Sequence, residues 1–384
     1  MRRIIPLLIV VLLVSCSQPE VKPQTEETRT ESNSNKVSQA KLYYSFGADY
    51  LMKRNYDDAI INFQRALKES TGFESAAIGL GKAYQGKKEF ALAEQAYKDF
   101  LAKNPKSVKV QVALANLYRK LKKYDLAKKV YFDALKKDSS LAYCWDGLGN
   151  LEEDLGHLEK AKEYYEKAYK LDPKNKGIAF RLGSVYVRTG ESSKAIKLLE
   201  EVKDVNPDDI EIRVKLGDAY NDTKQYAKAI EEYKFVLSKI PNYVSVMIKL
   251  GKAYKGLKKY TLAENMYKEA LKHEPDNLSA YYSLIDLYIT RKFYTKAMNT
   301  VNEALKKAPK DAILWALKGD VYFRKGLAEM KKENWNPAIA LFDKAIAAYS
   351  KSISLCSNNE WKNYARKGIA QAKKYKKQAL DLRW

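Results

Sequence analysis

The chain contains 384 residues, of which 46% are hydrophobic, and its mean hydropathy is −0.51. This composition is typical of a water-soluble globular protein with a large core, and the length alone would suggest two or three domains. Three cysteines and two histidines leave little material for disulfides or a metal site. The formal net charge of +23 at pH 7 favours anionic partners, among them acidic proteins, phosphate-bearing lipids, glycans and nucleic acid. The alternative is that lysines on exposed helix faces only keep the protein soluble.

Residues 1–16, MRRIIPLLIVVLLVSC, have the organisation of an export signal. Arg2 and Arg3 supply positive charge, and the apolar run over residues 4–14 is too short for a stable membrane span. The last four residues, LVSC, resemble the lipobox of bacterial lipoproteins. That resemblance implies a signal peptide over residues 1–15, cleavage before Cys16, and attachment of lipid to Cys16. The alternatives are a cleavable signal with an incidental cysteine and an uncleaved anchor.

The same resemblance predicts a location and a linker. A protein of this type is held at a membrane of the bacterial cell envelope by its lipid anchor and faces the periplasm or the exterior. Because Ser17 follows the cysteine, the outer membrane is favoured in a host that has one. Residues 16–39 join the acylated cysteine to a polar stretch with Pro19 and Pro23, which predicts a disordered tether.

From residue 40 onward, the sequence repeats every 34 residues. In the unit over residues 244–277, apolar and small residues recur at helical spacing in two runs, which predicts two short antiparallel helices. Gly251 and Ala263 allow these helices to approach closely, while Tyr254 and Tyr267 fill the space around the contact. The equivalents of Gly251 are Gly47, Gly81, Ala115, Gly149, Gly183, Gly217, Ile285 and Gly319. The equivalents of Ala263 are Ala59, Ala93, Ala127, Ala161, Ala195, Ala229 and Ala297. One hairpin cannot bury its apolar face alone, so the units are expected to stack.

This pattern resembles the tetratricopeptide repeat (TPR) family. The glycine, tyrosine and alanine positions recur together, a proline closes six units, and Trp145 and Trp315 stand at the family's aromatic position. The resemblance covers roughly residues 40–350. It implies an all-α fold, a right-handed superhelical solenoid of about nine helix-turn-helix repeats. We expect this array over residues 40–355 and a C-terminal capping helix within residues 356–384.

The ninth repeat is predicted to be stretched. Its second-helix residues Ala338, Phe342 and Ala345 come seven residues later than the period requires, which is about two helical turns and keeps the apolar face intact. Asn336 and Pro337 are predicted as the N-cap and first residue of that helix.

The resemblance also implies where a partner binds. In TPR arrays the first helix of each repeat lines a concave surface, and ligand contacts come from fixed positions along it. Carried onto this chain, those positions give a partner-binding groove of mixed charge, basic in the second, third and seventh repeats and acidic in the fourth and sixth. Such a groove suits an extended or helical polypeptide, although these side chains could simply be exposed polar residues. The predicted groove residues are Ile78, Lys82, Lys109, Asn116, Arg119, Tyr143, Asn150, Phe180, Arg188, Asp218, Asn221, Ile248, Lys252, Lys255 and Tyr282.

A catalytic or metal site is not predicted. His157 and His273 have no plausible metal partner, and Cys144 and Cys356 are more typical of small core residues. We therefore expect no catalytic residue and no cofactor. The predicted function is a lipid-anchored envelope scaffold that binds a partner protein or peptide segment, with no nucleic acid and with the oligomeric state open. The alternative is a carrier or sensor that binds an anionic lipid or cell-wall glycan on its basic surface.

Overall fold

The computed structural model describes residues 26–383, and it describes side chains from residue 35 onward. Every regular element in this part of the chain is an α-helix, and there are 19 of them, arranged as nine helix pairs and a terminal helix. The described residues divide into two compact units, one that ends at Ser139 and one that begins at Ser140. The predicted all-α array of about nine hairpins with a final helix is confirmed. The repeat pattern did not predict that the array divides into two units just before the fourth repeat.

The first unit contains three hairpins, formed by α1 with α2, α3 with α4, and α5 with α6, and each hairpin packs on the next. Its core includes Ala59, Phe63 and Ala83, which are almost completely buried. The helices of this unit are α1 (Glu26–Met52), α2 (Tyr56–Glu69), α3 (Glu74–Gly86), α4 (Phe90–Lys103), α5 (Val108–Lys120) and α6 (Tyr124–Lys137).

The second unit contains six hairpins, from α7 with α8 to α17 with α18, and the terminal helix α19. One continuous core runs from Ala161 to Val321, and a further cluster lies under the terminal helix. Its helices are α7 (Ala142–Asp154), α8 (Leu158–Leu171), α9 (Lys176–Arg188), α10 (Ser192–Val205), α11 (Ile210–Asp222), α12 (Tyr226–Lys239), α13 (Val244–Gly256), α14 (Tyr260–His273), α15 (Leu278–Thr290), α16 (Tyr294–Lys307), α17 (Ala312–Met330), α18 (Trp335–Leu355) and α19 (Asn359–Asp381).

In six of the nine hairpins, a glycine of the first helix lies under an aromatic ring of the second helix. The other three have Ala115, Gly183 under Leu199, and Ile285 at this position. In the seventh repeat the Tyr267 ring lies so close to Gly251 that an added Cβ would be 2.4 Å from its Cε1 atom. The same contact joins Gly217 to Tyr233, where the distance would be 2.6 Å. Ala263 and Tyr267 are fully buried, as predicted from the repeat. In these two hairpins the small first-helix residue is therefore required by close helix approach.

The turn inside each hairpin is equally regular. In the seventh repeat, the Lys258 backbone has a φ of 59°, the Lys259 N–H donates to the Tyr254 carbonyl over 2.9 Å, and the Lys258 N–H donates to the Lys255 carbonyl over 2.9 Å. This is the Schellman arrangement that closes a helix C-terminus with a left-handed residue. The equivalent positive-φ residues recur at 34-residue intervals: Arg54, Lys88, Lys122, Gly156, Gly190, Lys224 and Lys292.

The ninth hairpin is lengthened in both helices. Helix α17 has 19 residues and α18 has 21, compared with 13 and 14 in the seventh repeat. Gly326 lies under Phe342 near the turn, and Gly319 lies under Tyr349 two turns further away. Each helix gained about two turns, so the apolar faces stay matched.

The start of α18 differs from the prediction. Its N-cap is Asn334, whereas Asn336 and Pro337 lie within the first turn. Asn334 is held by its backbone N–H and its side chain, which donate to the carbonyl and the carboxylate of Glu329. Pro337 is tolerated there because the first four N–H groups of a helix have no intrahelical acceptor.

The two ends of the chain also bear on the predictions. Helix α1 begins at Glu26, so the segment predicted as a disordered tether is helical from that residue onward. The helix extends beyond the first repeat because adding one residue to an existing helix fixes few further dihedral angles. The predicted signal peptide and Cys16 lie outside the described residues. At the other end, the predicted capping helix is α19, whose Ala365 and Ala372 are buried. Within residues 26–383, no helix combines the length and apolar character needed to cross a membrane.

Candidate functional site

The first helices of the second unit are linked to one another by ion pairs. Arg181 on α9 binds Asp146 on α7 through two hydrogen bonds, Nε to Oδ1 over 2.6 Å and Nη2 to Oδ2 over 2.8 Å. Lys249 on α13 binds Asp218 on α11 over 2.6 Å. Each pair joins neighbouring repeats along the row of first helices. Because most of these side chains keep part of their surface in water, each pair contributes little to stability.

Three predicted groove residues are engaged in such pairs. Arg188 donates to Glu153, Asp218 accepts from Lys249, and Lys255 donates to Asp286. The alternating charge that the sequence predicts along the groove is therefore partly used between repeats. What remains for a ligand is the smaller set of polar groups without a partner.

The tyrosine hydroxyls of the second helices follow a rule. The hydroxyl of Tyr131 donates to Asn116 over 2.8 Å, and that of Tyr233 donates to Asp218 over 2.7 Å. The acceptor in each case lies 15 residues before the tyrosine, at the ninth position of the same repeat. Asn150 accepts from Tyr165 in the same way, over 3.2 Å. A buried hydroxyl needs such a partner, because leaving it unpaired costs free energy.

The seventh repeat breaks this rule. The residue 15 positions before Tyr267 is Lys252, whose ammonium group can only donate. The Tyr267 hydroxyl is buried and has no hydrogen-bond partner. In the second repeat, which has Lys82 at the ninth position, Tyr97 lies within 3.3 Å of Gln85 and 3.5 Å of the Ile78 carbonyl. The seventh repeat has no such substitute, because Lys255 stands where Gln85 stands and is paired with Asp286.

Tyr267 lines a pocket of about 440 Å³ on the row of first helices. The pocket brings together predicted groove residues Asn221, Lys252 and Lys255, from α11 and α13, with Asp286 from α15. The Oδ1 atom of Asn221 is buried and, like the Tyr267 hydroxyl, has no partner. Burial, together with the charge of Asp286, raises the pKa of Tyr267 well above its usual value, so its hydroxyl stays protonated and remains a donor.

The predicted groove residues of the first unit are less concentrated. Asn116 is occupied by Tyr131, and Lys109 lies 3.8 Å from Glu74. Lys82 is exposed, whereas Ile78 and Arg119 are half-buried on α3 and α5. The part of this unit that the structure describes therefore gathers no set of unpaired groups among the predicted residues.

Of the remaining predicted residues of the second unit, one is exposed, one is half-buried and two are hydrogen-bonded within the protein. Tyr143 is 38% exposed and Phe180 is half-buried. Asn150 also donates to the Asp146 carbonyl over 2.8 Å, and the Tyr282 hydroxyl donates to Asp311 over 2.8 Å.

Ile248 does not belong to a groove surface. It is only 4% exposed and lies in the core, so its prediction as a contact residue is wrong. The neighbouring hairpins cover the fifth position of the seventh repeat, which the repeat pattern alone does not reveal.

Another pocket, of about 320 Å³, lies in the first unit and contains none of the predicted groove residues. Its polar side chains already bind one another, since Gln95 donates to Asp99 over 2.6 Å and Gln64 to the Tyr84 hydroxyl over 3.3 Å. It is lined by Gln64, Leu67, Thr71, Leu80, Tyr84, Leu92, Gln95, Ala96, Asp99, Phe100 and Lys103. With these four polar side chains bonded to one another, it is a weaker candidate than the pocket at Tyr267.

Sequence reasoning did not name Tyr267 as a candidate residue, because it assigned that residue to the core. The signal was present in the sequence, where Lys252 stands at the position that is asparagine or aspartate in the third, fourth, sixth, eighth and ninth repeats. Each of the two histidines lies beside one glutamate. His157 precedes α8, with its Nδ1 atom 2.8 Å from Glu152, and Nε2 of His273 lies 3.6 Å from Glu269. Among the described residues, no group of three or more potential metal ligands is found.

Comparison with family models identifies repeats along most of the chain. Residues 24–216 match the model described as tetratricopeptide repeat protein 21 C-terminal ARM domain. Three models described as tetratricopeptide repeat match residues 256–321, 210–238 and 320–352. The first of these matches alone spans half of the chain.

Individual relatives match shorter stretches. The tetratricopeptide repeat domain-containing protein PYG7, chloroplastic, of Arabidopsis thaliana is 35% identical over 66 residues, which is 17% of this chain and 22% of that protein. Among solved structures, YrrB, titled a TPR protein with an unusual peptide-binding site, is 23% identical and covers 50% of this chain and 98% of its own, with a TM-score of 0.47. PilF of Pseudomonas aeruginosa is 19% identical, covering 54% of this chain and 94% of its own with a TM-score of 0.47. A MamA structure is 26% identical, covering 44% and 93% with a TM-score of 0.40.

Proposed function

We propose that this chain, which belongs to the tetratricopeptide repeat family, docks a polypeptide segment of a cell-envelope partner on the first helices of its second unit. Arrays of this family are protein-binding scaffolds that are generally non-catalytic. In this proposal, lipid on Cys16 holds the protein at the envelope membrane, and the protein catalyses no reaction of its own.

The pocket that contains Asn221, Lys252 and Lys255 carries this proposal. Most of its residues come from α11, α13 and α15, which are the first helices of three consecutive repeats, and the second helices contribute Tyr226 and Tyr267. A ligand in this pocket therefore contacts several repeats at once, as an extended or helical segment does when it lies across them. Lysines and aspartates stand side by side there, a mixed charge that suits a polypeptide better than a uniformly anionic polymer.

The envelope location is supported by the sequence of residues 1–16. Two arginines, an apolar stretch and LVSC ending at Cys16 stand in the order that an exported lipoprotein requires. Several acyl chains on one residue are sufficient for stable membrane anchoring. We expect Cys16→Ser to abolish metabolic labelling with palmitate and to move the protein out of the membrane fraction. Unchanged labelling and fractionation would contradict the anchor.

The docking proposal is tested by photo-crosslinking in cells. A photo-reactive amino acid replaces Lys252 or, separately, Phe180, and adducts formed on irradiation are identified by mass spectrometry. The matched control is the same replacement at Lys234, which is exposed on the second helix α12. We expect a discrete protein adduct from position 252 or 180 and none from 234.

Other outcomes of this experiment separate the candidate functions. Lipid or glycan adducts alone would overturn the scaffold and favour a carrier or sensor of anionic lipid or cell-wall glycan. Equal protein adducts from positions 252, 180 and 234 would show that the first helices have no special role.

A further inference from the structure

The pocket on the second unit contains a donor and an acceptor that are both unsatisfied. The Tyr267 hydroxyl is fully buried by its surroundings and donates to no atom, and the Asn221 Oδ1 atom is buried and accepts from none. Buried polar groups in folded proteins are almost always hydrogen-bonded, so two unpaired ones lining the same pocket point to groups that a ligand supplies. The ligand must offer an acceptor to Tyr267 and a donor to Asn221.

The charge of the pocket restricts the acceptor. Lys252 is exposed and forms no ion pair within the described residues, and the same holds for Lys224. Lys255 and Asp286 satisfy each other. Lys224 and Lys252 line the same pocket as the unpaired hydroxyl, and the other carboxylate there, Asp222, accepts from the Ser192 hydroxyl over 2.9 Å. This excess of positive charge favours an anionic acceptor, and hydrogen bonds to a charged acceptor are the stronger kind.

A carboxylate meets these requirements better than a neutral carbonyl does. Its oxygens accept from Tyr267 and from Lys252 together, and it leaves no buried charge unpaired. If the carboxylate belongs to a side chain of a polypeptide, the backbone N–H groups beside it supply the donor that Asn221 lacks.

We infer that the pocket at Asn221, Lys252 and Tyr267 selects an aspartate or glutamate side chain in the docked segment. This inference rests on the proposed function, because it names the chemistry of the partner at that same surface. The pocket then acts as the specificity-determining subsite of the groove.

The test uses the full chain and a random hexapeptide library that is acetylated at its N-terminus and amidated at its C-terminus, so that side chains are its only carboxylates. We expect the bound fraction to be enriched in aspartate or glutamate at one position. For a selected peptide, changing that residue to its amide should weaken binding by about tenfold or more, as for the loss of a charged hydrogen bond.

Two variants connect this preference to the pocket. In Lys252→Met and in Tyr267→Phe, the acid-to-amide change in the peptide should weaken binding much less than in the unmodified protein, which identifies the groups that contact the carboxylate. Tyr233→Phe and Lys234→Met are the controls, since the Tyr233 hydroxyl is already bound to Asp218 and Lys234 lies on α12. Both controls should keep the full effect. Circular dichroism establishes that each variant is folded.

The outcomes separate this inference from the proposed function. Peptides that bind without enrichment in acidic residues would overturn the carboxylate subsite and leave the docking function standing. An acid-to-amide effect that is the same in all variants would place the carboxylate elsewhere and overturn the subsite as well. If no peptide binds, both the subsite and the docking of a polypeptide segment are contradicted.

Discussion

The sixth and seventh repeats have nearly the same architecture and differ at one polar contact. Each consists of a helix of 13 residues and one of 14, and each places a buried tyrosine ring over a first-helix glycine. In the sixth repeat the Tyr233 hydroxyl donates to Asp218, which also binds Lys249. In the seventh, Lys252 replaces the acceptor and the Tyr267 hydroxyl is left unpaired.

This difference separates what the fold requires from what it permits. Both hairpins close with the same ring over the same glycine, a contact that stabilises them through van der Waals attraction and burial whether or not the hydroxyl is bonded. The ninth position contributes only the hydroxyl's partner. In the fifth repeat the second-helix residue has changed instead. Leu199 replaces the tyrosine, and the Ser184 hydroxyl at the ninth position has no partner. Such a position can change without loss of the fold and is therefore available for binding.

The largest expected effect comes from removing the rings. Tyr233→Ala and Tyr267→Ala should each lower the free energy of unfolding by about 3–5 kcal/mol, because each leaves a cavity over a glycine. Urea denaturation followed by circular dichroism measures the loss, and hydrogen exchange in α12 and α14 localises it. Lys234→Ala on the exposed face of α12 is the control and should change stability by no more than about 0.5 kcal/mol. Because Tyr233→Ala also removes the hydrogen bond to Asp218, the contribution of each ring is the loss in Tyr→Ala minus the loss in Tyr→Phe at the same position. Unequal ring contributions would contradict the shared architecture of the two hairpins.

Removing only the hydroxyls should separate the two repeats. Tyr233→Phe loses a 2.7 Å hydrogen bond to the Asp218 carboxylate and should cost about 1.5–3 kcal/mol of unfolding free energy. Tyr267→Phe removes a hydroxyl without a partner and should leave stability unchanged or slightly higher. The same denaturation experiment compares them. A loss in Tyr267→Phe as large as that in Tyr233→Phe would mean that the Tyr267 hydroxyl has a partner in the free protein.

Restoring an acceptor should make the seventh repeat resemble the third and fourth. Lys252→Asn places beside Tyr267 the residue that accepts from Tyr131 and Tyr165. We expect a gain of about 1 kcal/mol in unfolding free energy, the usual value for a new hydrogen bond to a buried donor. The gain should vanish when Tyr267→Phe is also present, and this double-mutant comparison is the control. The same gain in both backgrounds would have another origin.

The smallest expected effect concerns the asparagines. Asn221→Ala removes a group without a partner and should change stability by no more than about 0.5 kcal/mol, in the stabilising direction because alanine favours helix. Asn150→Ala, in contrast, loses the bonds to Tyr165 and Asp146 and should cost about 1 kcal/mol. Thermal denaturation of both variants resolves this difference. Equal losses would show that Asn221 is as well bonded as Asn150.

Much of the candidate site could be predicted from single positions. Asn221, Lys252 and Lys255 were named from their places in the repeat, and the structure brings them to one pocket. Ile248 was not predictable in this way, because its burial depends on neighbouring hairpins. The N-cap of α18 was also missed, since Asn334 and Asn336 look alike in sequence and only contacts with Glu329 distinguish them.

By itself, the sequence determined the hairpins, their 34-residue period, the small residues at which their helices approach closely and the two extra turns of the ninth repeat. These features depend on residues close together in the chain, where the helical period fixes which side chains share a face. Only the tertiary structure decided which charges of the groove are used between repeats and which polar atoms remain unpaired. That outcome depends on side chains about 30 residues apart, such as Lys255 and Asp286, whose distance is set by how one hairpin packs on the next.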